Sequence, residues 1–222
     1  MHLPFRITGA LFCTAALCAL PAFGDTSSEV DNAIKDTKTF GRITPIFNQL
    51  VYFHAPAEFL PADENTSGAN YIEESVLKGE NVNQWTQMLT VTGVKDLALT
   101  HPEATPRQFA SNIAGGFQHA CPSTFAAKAI LDGKLDGNDA LVMIVSCGTA
   151  PAGDHSETAV VAVVKGERDF YTLQWAERAA PSAVPMQLDV NLWAARMKQL
   201  LPLKLCPIIP GEMPPYPSCV GR

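Results

Sequence analysis

Positive charge is scarce in this sequence, and nowhere does it gather into a run. Lys and Arg number 16 against 22 Asp and Glu, and charged residues of all kinds make up only 17% of the chain. With a formal net charge of −6, the chain has no electrostatic grip on nucleic acid or on an anionic lipid surface. Catalytic signatures are missing too. There is no Gly-x-Ser-x-Gly elbow, no P-loop, no dinucleotide-binding glycine fingerprint and no His-Glu-x-x-His. The lack of a Cys-x-x-Cys pair excludes a thioredoxin-like redox site. No cofactor is expected. What remains is a chain of 222 residues at 47% hydrophobic. That is enough to bury the core of one domain, or of two small ones, and too apolar for wholesale disorder.

The N-terminus carries the clearest signal. Arg6 precedes a 14-residue apolar run over residues 7–20; Pro21 breaks the run, and Ala22-Phe23-Gly24 supplies small residues at the −3 and −1 positions of a cleavage site. Residues 1–24 therefore read as a secretory signal peptide cut after Gly24. The run is shorter than the roughly 20 residues that span a bilayer as a helix. No later segment approaches that length, so the exported chain is expected to be periplasmic or secreted, without a membrane span. Phe12 and Leu17 stand before Cys13 and Cys18 where lipidation prefers a small residue, so an acylated anchor is not expected.

Removing the leader takes Cys13 and Cys18 with it and leaves Cys121, Cys147, Cys206 and Cys219. An even number of cysteines in an exported chain points to two disulfides, for which four cysteines allow three connectivities. Six prolines fall between residues 202 and 217 with no hydrophobic periodicity. Such a tail cannot fold back by packing alone, which favours a local Cys206–Cys219 staple and leaves Cys121–Cys147 as the second bridge. In the chain-entropy picture a loop that small stabilises by about 3 kcal/mol. The set His119, Cys121, Cys147 and His155 matches no standard zinc spacing, and oxidised sulfur cannot ligate, so no metal is expected.

Periodicity sets out the elements. Residues 25–44 are polar, and residues 25–41 are weakly helical at best. Residues 50–53 and 71–77 read as strands, and residues 55–69, with two prolines, Asn65, Ser67 and Gly68, as an exposed loop. Residues 85–94 form a strand with Trp85, Leu89 and Val91 on one face and Thr86, Thr90 and Thr92 on the other. Thr105-Pro106-Arg107-Gln108 is a helix start with a capping box, followed by a stripe of Phe109, Ile113 and Phe117. Residues 125–131 are ambiguous between helix and strand. The continuous apolar runs 141–145 and 159–164 are strands buried on both faces, and residues 165–168 turn into a strand over 170–176. A last helix, capped by Asp189, carries Val190, Trp193, Met197 and Leu201 on one face and stops at Pro202. The expected architecture is α+β, one antiparallel β-sheet flanked by helices over residues 45–205. A proline-rich strap over 206–222, closed by a disulfide, follows it.

The segments 71–80 and 83–91, an extended stretch, a Lys-Gly-Glu turn and a Trp-Thr-x-Met strand, resemble exported bacterial proteins of the DcrB-like and PsbP-like α/β/α class. Ala120-Cys121-Pro122, Ser146-Cys147-Gly148, Gln174-Trp175-Ala176-Glu177-Arg178 and Tyr216-Pro217-Ser218-Cys219 are similar to those of an uncharacterised exported family. The resemblance covers residues 45–220 with gaps. It implies a PsbP-like α/β/α sandwich and no established catalytic residue.

Candidate chemistry is sparse. Asp154-His155-Ser156-Glu157 holds the residue types of a triad, but neighbours on an extended segment point to alternate sides and cannot converge. The candidate ligand or partner surface is Trp85, His155, Glu157, Glu177 and Arg178: an aromatic platform and charged strand ends. The favoured function is a non-enzymatic binding or accessory protein of the cell envelope, acting on a partner protein or small ligand. The alternative is a hydrolase with an unrecognised site around His119, His155, Ser156 and Glu157.

Overall fold

Every position of residues 141–145 and 159–164 is apolar, so strands built from them need cover on both faces. In the computed structural model, which describes residues 38–151 and 153–221, they lie side by side inside a seven-stranded antiparallel sheet. The expected signal peptide over residues 1–24 and most of the polar segment after it fall outside the described residues.

The described residues open with a hairpin of β1 (Thr39–Ile46) and β2 (Gln49–Pro56). Then come β3 (Phe59–Ser67), β4 (Asn70–Leu77), β5 (Gln87–Val94) and the short α1 (Leu97–Thr100). After α2 (Pro106–Ala120) come β6 (Phe125–Leu135), β7 (Asn138–Cys147), β8 (Ser156–Lys165) and β9 (Phe170–Ala179). The chain closes with α3 (Val190–Leu200), β10 (Lys204–Pro207) and α4 (Pro217–Val220). The large sheet runs β3-β4-β5-β9-β8-β7-β6, and a second sheet runs β1-β2-β10.

This is a β-rich fold, and it overturns the expected α+β sandwich of PsbP type: among the described residues strands hold 48% and helices 19%. One misread segment and one left ambiguous explain the difference. Residues 55–69 are no loop; β3 pairs with β4 from Phe59 to Ser67 although nearly all its side chains are exposed. An edge strand is held by its ladder bonds and needs no apolar alternation. The alanine-rich residues 125–135 form the opposite edge, paired to β7. The second correction concerns cover. One face of the large sheet is packed by the three-stranded sheet together with α3, around Trp175, Tyr171, Phe53, Phe59 and Trp193. Phe59 meets Trp175 edge to face at 5.1 Å. The other face packs α2 on Leu141, Met143, Val145, Val161 and Val163.

Two polar joints lock the sheets together. The fully buried Asp169 carboxylate accepts from the Asn48 backbone N–H at 3.1 Å, the Asn48 amide at 3.0 Å, the Asp96 backbone N–H at 2.7 Å and the Tyr171 hydroxyl at 2.8 Å. Burial, with Asp169 alongside, pushes the Tyr171 hydroxyl above its ordinary pKa. Across the same interface Arg42 pairs with Glu73, and its second amine donates to Ser75 at 2.7 Å. The sheets approach closely at Gly93, where a Cβ would stand 2.6 Å from Cγ2 of Ile46.

The capping box is present as expected: Thr105 Oγ1 accepts from the Gln108 N–H, and the Gln108 side chain accepts from Thr105. Asp189 caps α3 through the Asn191 and Leu192 N–H groups. Both bridges form, Cys121–Cys147 and Cys206–Cys219, with Cα separations of 5.7 and 5.6 Å.

Candidate functional site

Helix α2 lies over β6, β7 and β8 and leaves the neighbouring part of that face open. Its inward stripe of Phe109, Ile113 and Phe117 is only partly covered. Phe109 stacks on Phe170 at 5.4 Å and anchors the first turn, while Cys121 ties the last turn to β7. Along the helix two cavities open, and Ile113 lines both.

The first cavity has a volume of about 460 Å³. Its floor is Ile72, Thr92, Thr172 and Gln174, its wall is Phe109 and Ile113, and its rim is Asn65, Ser67 and Asn70 from the β3–β4 hairpin. The Thr92 and Thr172 hydroxyls bond each other at 2.7 Å across β5 and β9. Among the described residues no charged side chain lines it. The second cavity, about 380 Å³, is walled by Ile113, Gly116, Phe117 and Ala120 of α2 with Cys147, Ala150 and Pro151. Glu157 is its one ionisable lining residue among those described.

Of the five residues singled out from sequence, Glu157 lines this second cavity, and Arg178 and Trp85 adjoin it behind Glu157. Arg178 lies opposite Glu157 in the β8–β9 register and donates from Nε to its carboxylate at 3.4 Å. The Arg178 guanidinium sits over the Trp85 ring at 3.7 Å. Trp85 does not share a face with Leu89 and Val91 as the alternation of residues 85–94 predicts. It precedes β5 and packs in the opposite cluster, among Val76 and Met88. His155 belongs to the loop that carries Ala150 and Pro151, and its carbonyl accepts from the Ala150 N–H at 2.9 Å. Glu177 is elsewhere: it points to the other face, where it pairs with Arg196 of α3 at 2.7 Å beside Trp175.

The triad-like tetrad separates. Ser156 is buried and, as the first residue of β8, faces away from Glu157. Asp154 and His155 do meet, because both precede β8 and escape its alternation. The hydrogen bond from His155 holds the Asp154 carboxyl below the ordinary range. His119 is exposed on the last turn of α2. All four described cysteines are in disulfides, as suits an oxidising compartment. Among the described residues no three His, Cys, Asp or Glu side chains gather to hold a metal ion. No described helix is long and apolar enough to cross a membrane.

The sequence reading missed the first cavity. Thr92, Thr172 and Gln174 alternate with apolar positions, the pattern of any solvent-facing side of a strand. Nothing local marks them as the floor beside a helix that covers only part of the sheet. No family model matches the sequence, and no curated protein matches it.

Proposed function

We propose that this chain is an exported, non-enzymatic envelope protein that binds a small, largely apolar ligand alongside α2. The observation that carries this reading is the apolar cavity of about 380 Å³ beneath Ile113 and Phe117, whose one charge among the described residues, Glu157, is already matched by Arg178. Glu157 gives the cavity one polar corner, and Arg178, stacked on Trp85 behind it, balances its charge. The non-enzymatic reading is supported by the nucleophiles. No thiol is free among the described cysteines, and Ser156 is buried on the face opposite Glu157.

Gly116 supplies the test. A Cβ there meets nothing within 4 Å, so Gly116→Phe fills the cavity without a backbone clash and removes a glycine from a helix interior. The neutral dye N-phenyl-1-naphthylamine is expected to bind the oxidised protein saturably, and Gly116→Phe to abolish that binding while the thermal midpoint holds or rises. Unchanged dye binding in Gly116→Phe overturns the site. Labelling of Ser156 by a fluorophosphonate overturns the non-enzymatic reading in favour of a hydrolase.

A further inference from the structure

We infer that the ligand is a neutral amphiphile whose alkyl chain occupies the apolar cavity and whose uncharged, hydroxyl-bearing head occupies the cavity floored by Thr92, Thr172 and Gln174. The inference rests on the reading of the apolar cavity as a ligand site. Three observations carry it.

Ile113 lines both cavities, so one molecule passing that side chain reaches each of them. Both linings are mostly apolar, and they differ in the polar groups they carry. The chain end meets Phe117, Ala120 and Pro151, whereas the other end meets two hydroxyls and an amide set into a sheet face whose other buried positions are mostly apolar. The Thr92–Thr172 bond uses one hydroxyl hydrogen, so the pair keeps a donor and acceptor sites for a ligand. Charge decides the head group. The polar cavity has no ionised lining residue among those described, and Glu157 is taken by Arg178. A carboxylate head would enter without a counter-ion, and an ammonium head would compete with an existing pair. A sugar-like head, with hydroxyls at its edge and C–H groups on its face, meets both the threonines and the Phe109 wall.

The test compares three probes of equal chain length below their micelle concentrations, by titration calorimetry on the oxidised protein: octyl glucoside, 1-octanol and octanoate. Octyl glucoside is expected to bind roughly tenfold more tightly than 1-octanol, the value of one or two net hydrogen bonds, and octanoate no better than 1-octanol. Thr92→Val combined with Thr172→Val removes both partners of one hydrogen bond and leaves neither orphaned. It should cancel that advantage while 1-octanol affinity stays within about twofold. Gly116→Phe should weaken all three probes. If octanoate matches the glucoside, or the double valine variant keeps the full glucoside advantage while Gly116→Phe still abolishes binding, the neutral-head inference falls and the apolar site stands. If Gly116→Phe weakens none of them, the apolar site falls and the inference with it.

Discussion

Asp169 is a fully buried carboxylate without a cation among its hydrogen-bond partners, and its loss should separate the two sheets. Four donors converge on it: two from Asn48 at the tip of the β1–β2 hairpin, one from the backbone just after β5, and the Tyr171 hydroxyl from β9. Replacement by alanine removes the acceptor for all four. Tyr171 keeps a second partner, the Ile46 carbonyl at 3.1 Å, and the Asn48 amide is only partly covered and turns to water. The two backbone N–H groups bear the loss. At about 1–3 kcal/mol for each orphaned donor, Asp169→Ala should cost about 3 kcal/mol of stability. Asp169→Asn keeps one oxygen but turns an amide N–H₂ toward donors, so its cost should be about half to all of that. Urea unfolding of the oxidised protein reads this as a lower midpoint at unchanged slope. A cost below about 1 kcal/mol for Asp169→Ala would mean that water replaces the carboxylate and that apolar packing alone joins the sheets.

Glu74 faces Asp63 across the β3–β4 ladder, and burial first, then the Asp63 charge, raise its carboxyl pKa above the ordinary value. A group whose pKa is raised by folding favours the native state when protonated. Its contribution is present below the unfolded pKa and lost as pH rises through the folded one. Glu74→Gln should therefore stabilise the protein at pH 7 and change little at pH 4, as read by urea midpoints at both; equal effects at both would refute the assignment. Gly93→Ala places a Cβ against Ile46 where the sheets approach closely, and a stability loss of about 1–3 kcal/mol from overpacking is expected, read as a lower thermal midpoint. No change would show that the β1–β2 hairpin shifts freely.

The legible parts of this fold are those where local chemistry and burial agree. Residues 141–145 and 159–164 are apolar at every position and sit in the middle of the large sheet, and Thr105 to Gln108 forms the capping box its spelling announces. The two bridges followed from counting and from the proline-rich loop between Cys206 and Cys219. The edges were illegible because an edge strand obeys no burial pattern. β3 carries Pro61, Asp63 and Glu64, which suppress pairing with a further strand and equally mimic a loop. Sheet order was illegible for a different reason. β5 pairs with β9, about 80 residues away, and no local signal records a partner at that distance. Trp85 was visible as an aromatic at a strand start and Glu157 and Arg178 as charged strand ends, but only the β8–β9 register puts Arg178 between the other two.

The position of the cavities follows from how α2 is held. Its first turn is fixed by the capping box and by Phe109 on Phe170, its end by Cys121 on Cys147, and both attachments run to strands of the same sheet. A helix pinned at both ends cannot roll over the open part of the face, so its partly covered stripe must be met by something other than its own sheet. Gly115 and Gly116 stand in that stretch with no neighbour within 4 Å of where a side chain would begin, although alanine there would make a better helix. Helix propensity is thus given up where room is left along the wall of the apolar cavity. The same fixed frame holds Glu157 at the cavity's polar corner with Arg178 beside it, because both are locked in the β8–β9 register. Pinning the helix and emptying its middle are therefore two halves of one design: a wall that does not move beside a space the chain does not fill.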